Sequence, residues 1–345
     1  MRLLAGCLVL AAVLTAAAAS GQGLDWRTDF TFYGDNTEFF NSYRTGETLL
    51  GASVRTALAF ELGPRTEALA GVFCDIRSGS EQGAREVKPV LSLRWRGETS
   101  TAVMGTLLTE HRHRILEPLR TTSFDITRQV EQGLQWIEQR QRWQGEAYIN
   151  WQRLNTPRSR EIFDYGLVVE GRPAAWLGLE AQLHGLHHGG QLHQAGAVSN
   201  NTVWAAGARA RHRLGASLAF SLAAFRLASA GKVDPFVDGP TITGRGTYVR
   251  AGAELERVGE AFVIVWRGRD FISHEGDRHY GSIGRDGSFA RSHRAYEELG
   301  FVHRRRVAER VDVSLEARLH RVDGDFDYSY RILVRSPFAL RLVAR

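Results

Sequence analysis

Apolar and polar residues alternate along most of the chain, in segments of about ten residues that each end in a turn. In the segment 50–62, for example, Leu58 and Phe60 lie on one face of an extended chain, and Arg55 and Glu61 lie on the other. Strict period two is typical of β-strands with one apolar and one polar face. The pattern therefore predicts an all-β protein whose strands separate an apolar from a polar environment.

About sixteen such segments, within a range of 14 to 18, fit into the chain of 345 residues. Helical patterning is weak, apart from Ile115–Glu131. The predicted strands lie near 26–33, 47–62, 66–77, 87–96, 100–109, 131–141, 143–154, 161–171, 175–186, 202–213, 216–228, 246–258, 260–270, 296–305, 310–321 and 327–338.

Long and short connections alternate between these segments. Long loops such as 110–130 and 271–295 are separated by tight turns such as 63–65 and 97–99. Outer-membrane barrels sort their connections in this way, with short periplasmic turns and longer external loops. A closed barrel also pairs every strand with two neighbours, so that no backbone amide is left unsatisfied in lipid. The sequence predicts a transmembrane, antiparallel, up-and-down β-barrel.

The first twenty residues differ from the rest. Arg2 is followed by an uncharged, mostly apolar run and then by Ala17, Ala18 and Ala19, which is the pattern of a secretory signal peptide. We expect residues 1–20 to be cleaved and residues 21–345 to form the barrel. One of the two cysteines lies in this segment, so the mature chain would keep only Cys74 and have no internal disulfide.

The charge balance excludes some partners and favours others. The formal net charge is +6, and nearly all basic residues are arginines; Lys88 and Lys232 are the only lysines. Arginine suits phosphate and carboxylate binding, although codon bias in a GC-rich genome produces the same composition. An exported chain without a basic tail or a known binding motif is not expected to bind nucleic acid.

Taken together, these features resemble bacterial outer-membrane β-barrel channels, of the porin and exopolysaccharide-export porin class. The resemblance covers the mature chain and lies in its architecture. It implies a location in the outer membrane of a Gram-negative bacterium, without a cofactor. The partners it implies are outer-membrane lipid, lipopolysaccharide, the barrel-assembly machinery, and components of polysaccharide export or secretion. One departure is the last strand, because such barrels end in an aromatic residue and here Pro337 precedes Phe338 and a short tail.

Three function classes follow from this architecture. The first is a channel for passive passage of hydrophilic solutes, including anionic or saccharide solutes. The second is a non-conducting barrel that serves as a scaffold or subunit of a surface-polysaccharide or secretion machine. The third is an outer-membrane hydrolase, for which Ser273-His274 with Glu275 and Asp277 is the nearest candidate. Adjacent Ser and His do not normally place Oγ against the imidazole, so the sequence predicts that the protein is not an enzyme.

The polar strand faces supply the candidate pore residues. Arg209, Arg211 and Arg213 share one face of a strand, which would favour anions. Inward glutamates favour a salt-bridged lumen instead, and the sequence leaves both open, as it leaves open whether loop 110–130 blocks the lumen. The predicted pore-lining residues are Arg55, Arg94, Arg96, Gln135, Asn150, Gln152, Glu180, Arg209, Arg211, Arg213, Arg250, Glu254, Glu316 and Arg318.

Two clusters of residues in the sequence could bind metal ions. His184, His187, His188 and His193 lie in and beside one predicted external loop, where imidazoles could hold a transition metal. No carboxylate or thiol joins them locally, so we interpret them as a solvated loop. Asp35, Asn36 and Glu38 could supply oxygens to calcium, but they lack the spacing of an EF-hand loop and are interpreted as a polar turn. No metal site is predicted.

Tryptophans near the predicted strand ends favour a membrane-interface girdle over a sugar-stacking track. Trp136, Trp151 and Trp204 share the parity of outward apolar residues. The tryptophans assigned to the girdle are Trp26, Trp95, Trp136, Trp143, Trp151, Trp176, Trp204 and Trp266.

Overall fold

A computed structural model describes residues 23–81, 84–190, 192–193 and 197–344. The predicted signal peptide at 1–20 lies outside the described residues and stays a prediction. Within these ranges the chain forms sixteen strands. They are β1 (Leu24–Glu38), β2 (Glu47–Gly63), β3 (Thr66–Arg77), β4 (Glu86–Arg96), β5 (Ser100–Thr106), β6 (Gln132–Gln139), β7 (Trp143–Arg153), β8 (Glu161–Ala174), β9 (Leu177–Gly189), β10 (Ser199–Leu214), β11 (Leu218–Gly231), β12 (Ile242–Leu255), β13 (Gly259–Arg269), β14 (His293–Ala308), β15 (Val311–Val322) and β16 (Asp325–Val343).

The strands close into one antiparallel barrel in which each strand pairs with its neighbours along the chain. β1 closes the ring against β16, and Phe30 lies opposite Ser336 in that pairing. The predicted fold class, an up-and-down β-barrel of about sixteen strands, is confirmed. In the part of the chain that is described, no helix is long and apolar enough to cross a membrane.

The alternation of the sequence corresponds to the outside and inside of the barrel. On β4, Leu91 and Leu93 are more than two fifths exposed on the outer surface, whereas Val90 and Ser92 face the interior and are buried. An apolar outer surface is what a barrel presents to lipid. The outside of this barrel is therefore suited to contact with lipid.

The last strand continues through Pro337, which the sequence analysis had treated as awkward. Pro337 lies opposite Asp29 in the β1–β16 pairing, and β16 ends only at Val343. Phe338 lies on the outer surface, and its ring makes an edge contact with Trp26 at a centroid distance of 5.9 Å. The final strand therefore carries an outward aromatic residue and also closes the barrel.

Two long loops fold into the lumen at the end of the barrel that carries the long connections. The loop 107–131 contains a 3₁₀ turn (Glu110–Arg114) and helix α1 (Phe124–Thr127), and the loop 270–292 contains a 3₁₀ turn (Arg278–Tyr280). Leu107, Leu119 and Phe271 are fully buried there. The described loops therefore fill much of this half of the lumen.

Trp266 corrects one part of the predicted aromatic girdle. Its side chain faces inward, is fully buried, and packs edge-on against Phe271 and Tyr280 at centroid distances of 5.0 and 5.4 Å. The apolar loops provide an interior surface for it, so an aromatic residue at this position does not need lipid. Trp136 and Trp204, by contrast, are exposed on the outside.

Candidate functional site

A polar site lies inside the barrel where β14, β15 and β16 meet below the β15–β16 hairpin. Strand β16 alternates there between outward Tyr328 and Tyr330 and inward Ser329 and Arg331. Because period two sends alternate residues to opposite faces, Ser329 enters the lumen beside His320 of β15. On the next strand, Glu298 lies directly opposite His320.

Ser329, His320, Tyr296 and Glu298 form a continuous hydrogen-bonded chain. The Ser329 Oγ lies 2.9 Å from His320 Nε2, and His320 Nδ1 lies 2.7 Å from the Tyr296 hydroxyl oxygen. The Tyr296 hydroxyl in turn donates to a carboxylate oxygen of Glu298. If Tyr296 donates to Glu298, its oxygen accepts from Nδ1–H, and Nε2 is then free to accept the Ser329 proton.

The carboxylate at the end of this chain is held by Arg318. The Arg318 guanidinium lies 3.0 Å from Glu298 and 3.1 Å from Glu117 of the loop 107–131, and it also pairs with Glu316. Glu298 and His320 are both only 3% exposed. A buried carboxylate needs such pairing, because an unpaired buried charge is costly.

A small cavity of about 20 Å³ adjoins Ser329 and is lined by Thr37, Phe39 and Arg331 among others. This volume holds about one water molecule. The Arg331 Nε is buried and has no hydrogen-bond partner among the described residues, although another nitrogen of the same guanidinium donates to Asp35 at 2.8 Å. The residues that line the cavity thus include a serine, a histidine and an arginine whose Nε has no partner among the described residues.

The loop 270–292 covers the site from the lumen side. The Asp277 carboxylate pairs with Arg44, and the His279 ring lies 5.2 Å from the His320 ring. Burial alone would raise the pKa of Asp277, but Arg44 and His279 outweigh it and hold this pKa well below its usual range. Asp277 therefore stays charged and ties the loop to Arg44 of the β1–β2 connection.

A second buried polar group connects the loop 107–131 to the inner wall of the barrel. His113 is fully buried and lies 2.9 Å from Glu131, it also bonds to Glu146, and Arg120 pairs with the other oxygen of Glu131. Burial raises the pKa of the Glu131 carboxyl, but Arg120 and His113 outweigh it and lower this pKa to about 2. These ion pairs hold the loop inside the barrel.

Asp164, His184 and Glu275 are the described residues whose ligand atoms could meet at a metal ion. One atom from each lies within 4.8 Å of the others, and all three residues are buried. His184 belongs to β9 and is 1% exposed, so its interpretation as part of a solvated loop is wrong. The two carboxylates come from the neighbouring strand β8 and from the loop 270–292, and neither lies in the segment that carries the histidines.

The other residues considered for chemistry lie elsewhere. Asp35, Asn36 and Glu38 continue strand β1, so they do not form the polar turn that we interpreted from the sequence. The Ser273 Oγ donates to the Leu119 carbonyl and His274 Nε2 contacts the Lys232 carbonyl, so this adjacent pair makes no Ser–His contact.

The predicted pore-lining residues are distributed around the inner wall. Gln135 is buried against the backbone of Leu108, and Asn150 and Gln152 donate to Asp164. Most of the charged residues predicted to line the pore form ion pairs with carboxylates of the inner wall. These pairs are Arg94 and Arg96 with Glu67, Arg209 with Glu180, Arg211 with Glu254, Arg250 with Glu260, and Arg318 with Glu316.

Some of the charges nearest the short-turn end stay in contact with solvent. Arg211 and Glu254 are about half exposed, although they lie 2.6 Å apart. They line a cavity of about 410 Å³ together with Ser221, Arg250 and Arg304. Arg55 is half-buried, and Arg213 is exposed. Their role in conduction stays a prediction.

Ser329 and His320 are the residues that sequence reasoning missed. They are nine positions apart and lie on either side of a two-residue turn at Asp323-Gly324. The sequence contained one signal for this pair. The alternation of inward and outward residues on β15 and β16 places Ser329 diagonally across the hairpin from His320. Glu298 could be added only through the strand register.

A family model described as "Lipid A 3'-O-deacylase-type" matches residues 16–343. No curated protein matches the chain. Similar solved structures include a loop L8 deletion mutant of OmpT, an outer membrane protein of Vibrio cholerae, with 7% identity, a TM-score of 0.58, and coverage of 92% of this chain and 100% of that one.

Two further structures have the same barrel. The outer membrane protein opdK from Pseudomonas aeruginosa is 10% identical, with a TM-score of 0.56 and coverage of 92% of this chain and 99% of that one. An anion-selective porin from Comamonas acidovorans is 12% identical, with a TM-score of 0.52 and coverage of 92% and 99%. At these identities the likeness concerns the fold alone, and it confirms the resemblance to outer-membrane β-barrel porins.

Proposed function

The chain belongs to the lipid A 3'-O-deacylase-type family, and from this premise we propose that it hydrolyses an ester-linked acyl chain of a glycolipid in the outer leaflet. Ser329 acts as the nucleophile and His320 as the general base. Tyr296 and Glu298 orient the imidazole, and Arg331 stabilises the oxyanion.

The prediction that this chain is not an enzyme is wrong, because the family model that matches residues 16–343 is one of deacylases. Ser273 and His274 are adjacent in the chain, but their side chains bond to different carbonyl groups. Catalytic constellations are defined by geometry and role rather than by sequence position. The pair that meets these criteria is assembled across a strand hairpin.

The observation that carries the proposal is the 2.9 Å contact between Ser329 Oγ and His320 Nε2. This distance lies within hydrogen-bond reach, as a nucleophile and its base require. His320 Nδ1 lies 3.7 Å from the Glu298 carboxylate, and the Tyr296 hydroxyl bridges the two. The carboxylate therefore acts on the imidazole through the tyrosine, and it favours the tautomer that accepts at Nε2.

The reaction proceeds by acyl transfer. Ser329 Oγ attacks the ester carbonyl while its proton moves to His320 Nε2, and the oxyanion that forms is stabilised by the free Nε–H of Arg331. The C–O bond to the sugar breaks, and the sugar oxygen takes the proton from His320. Water then attacks the acyl-enzyme with His320 again as base, which releases the fatty acid and restores Ser329.

Substrate entry requires the loops to move. The cavity of about 20 Å³ beside Ser329 holds a water molecule but not an acyl chain. Ser329 lies five residues beyond the tip of its hairpin, at the end with the long loops. In outer-membrane barrels that end faces outward, so the site lies on the side of the membrane where a glycolipid of the outer leaflet is available.

The test uses the folded barrel in mixed micelles with lipid A, and mass spectrometry measures released fatty acid. We expect Ser329→Ala and His320→Asn each to reduce the rate by at least about 10³-fold, as for other members of such triads. Ser314→Ala is the matched control, because Ser314 also faces the lumen, on β15, six residues from His320.

A fluorophosphonate provides a second readout that does not depend on the identity of the lipid. It should label the wild-type chain at Ser329 and leave Ser329→Ala unlabelled. Hydrolysis that persists in folded Ser329→Ala, or labelling at another serine, would refute the assignment of the nucleophile.

A passive channel for hydrophilic solutes is the second candidate function. It is supported by the cavity of about 410 Å³ at the short-turn end, whose charged lining includes Arg211, Arg250 and Glu254. Passage through the barrel would require the loop 107–131 to leave the lumen. Conductance steps from the wild-type barrel in a planar bilayer would support the channel, and their absence would favour the non-conducting scaffold.

A further inference from the structure

We infer that Asp164, His184 and Glu275 form a binding site for a divalent transition-metal ion. The three residues come from β8, β9 and the loop 270–292, and the structure brings one ligand atom of each within 4.8 Å of the others. Their exposed fractions are 0%, 1% and 5%. This proposal does not depend on the hydrolase assignment, because it uses none of the residues around Ser329.

The first observation that points to an ion is an unsatisfied oxygen on Asp164. Its Oδ1 accepts hydrogen bonds from Asn150 at 2.6 Å and Gln152 at 2.8 Å. Its Oδ2 is buried and has no hydrogen-bond partner among the described residues. Buried carboxylate oxygens are rarely left unpaired, and a cation at this position would satisfy this one.

On Glu275 one oxygen is likewise occupied, and the other is paired with His184, a contact that a bound ion would replace. Its Oε1 accepts from Arg128 at 2.5 Å and from Gln152 at 2.7 Å, whereas its Oε2 faces His184 Nε2 at 2.9 Å. Gln152 therefore bridges the occupied oxygens of the two carboxylates. The free oxygen of Asp164, the Oε2 of Glu275 and the His184 nitrogen remain as the three ligand atoms.

The far side of the imidazole also has the partner that a metal ligand needs. His184 Nδ1 lies 3.1 Å from the hydroxyl of Tyr148, which is buried. When Nε2 binds a metal, Nδ1 carries the proton and donates it to the Tyr148 oxygen. Ligating histidines almost always donate their other ring N–H in this manner, which fixes the tautomer and the ring orientation.

The ligand set selects the class of ion. One imidazole and two carboxylates suit Zn²⁺ or Mn²⁺, whereas Ca²⁺ prefers oxygen ligands alone. Two carboxylates balance the charge of a dication, and Arg128 pairs with the Glu275 and Asp164 oxygens that do not face the ion. Three protein ligands also leave a coordination position for water.

The test is titration of the chelator-treated, folded barrel with Zn²⁺ and Mn²⁺ by calorimetry, with Co²⁺ absorption as a report on nitrogen ligation. We expect one ion per chain. Asp164→Asn and Glu275→Gln should each weaken binding by about tenfold or more. Asp164→Asn retains an Oδ1 that accepts from Asn150 and Gln152, so the variant should still fold.

Two matched controls separate this site from incidental binding. Glu180→Gln removes another buried inward carboxylate, which pairs with Arg209, and His188→Gln removes a buried histidine of the same strand. Both should bind as the wild type does. Absence of binding to the wild type, or equal binding by folded Asp164→Asn and Glu275→Gln, would overturn the proposal. The result for Ser329→Ala hydrolysis has no bearing on either outcome.

Discussion

Buried ion pairs determine how the loop 107–131 is held. Arg120 is 1% exposed, Glu131 is 1% exposed, and His113 is fully buried between Glu131 and Glu146. Removing one partner of such a pair leaves an uncompensated buried charge, which costs about 3–5 kcal/mol. An exposed pair such as Arg211–Glu254 contributes about 1 kcal/mol or less. The stability of the docked loop therefore depends on a few residues.

The pKa shifts in this group predict a limited pH range for loop docking. The pKa of Glu131 is lowered to about 2, from about 4.3 in an unfolded chain, so its contribution is present above pH 4.3 and is lost as the pH falls towards 2. Burial lowers the pKa of His113, but Glu131 and Glu146 outweigh it and raise this pKa above its usual value. The contribution of His113 to the stability of the docked loop is complete below about pH 6.5. This contribution is lost as the pH rises through the raised pKa.

Limited proteolysis of residues 107–131 across pH measures this directly. We expect the loop to be most protected between about pH 4 and 6.5, with cleavage increasing on both sides. Glu131→Gln should remove the change at the acid side and raise cleavage at neutral pH. A protection profile that is flat from pH 2 to 9 in the wild type would contradict this account.

At the residue level, the sequence predicted which side chains face the lumen better than it predicted which side chains contact one another. Parity alone placed Asn150, Gln152 and Glu180 on the inner wall, where Asn150 and Glu180 are buried and Gln152 is exposed. It could not show that Gln152 bridges Asp164 and Glu275, because Glu275 is 123 positions away in the chain. Contacts of this kind depend on strand register and on loop docking, and neither has a local signal.

At the level of elements, the periodicity of the sequence predicted which segments form strands, but it did not predict where each strand ends. β9 continues to Gly189, two residues past His187, which the sequence had assigned to a loop. β1 likewise continues to Glu38 through a polar stretch that had been interpreted as a turn. In both places inward polar residues find partners inside the barrel, so the ladder extends past the apolar pattern. In Ile115–Glu131 the weak helical pattern became only the four residues of α1.

The loop 107–131 occupies part of the lumen, and we predict that its removal changes conduction. Sixteen strands enclose a lumen wide enough for water, and here Leu107, Leu119 and Arg120 occupy it. We expect replacement of residues 110–128 by a short glycine linker to give larger single-channel conductance than the wild type in a planar bilayer. A comparable replacement in loop 232–241, most of which is exposed, is the control.

Unchanged conductance in a folded deletion variant would mean that the loop 270–292 is sufficient to block passage. The two loops touch, because Thr121 N donates to the Glu275 carbonyl and Asp277 N donates to the Glu117 carbonyl. Their contributions can then be separated by deleting each alone and both together.

For the whole molecule, the alternation of long and short loops predicted the barrel, but it could not predict the family to which the chain belongs. Architecture shared with porins led to the prediction of a channel without enzymatic activity, since the alternation of strands and loops does not reveal a site made of a few lumen residues. Function resides in sites that occur on many folds, and the proposed Ser329–His320 site would be one of them. The cleaved leader and the partners in assembly or export stay predictions.

Closure by β16 is the property of the whole molecule that is simplest to test. β16 pairs with β15 along Asp325–Arg335 and with β1 along Tyr328–Val343, so every strand has two neighbours and no sheet edge is left open. Unfolding must break such a ring as a unit. We expect the wild-type barrel to migrate differently in detergent gels when unheated and when boiled. A chain that ends at Gly324 should lack this difference, because β1 and β15 would each keep an unpaired edge. Identical migration of the unheated and boiled wild type would refute closure.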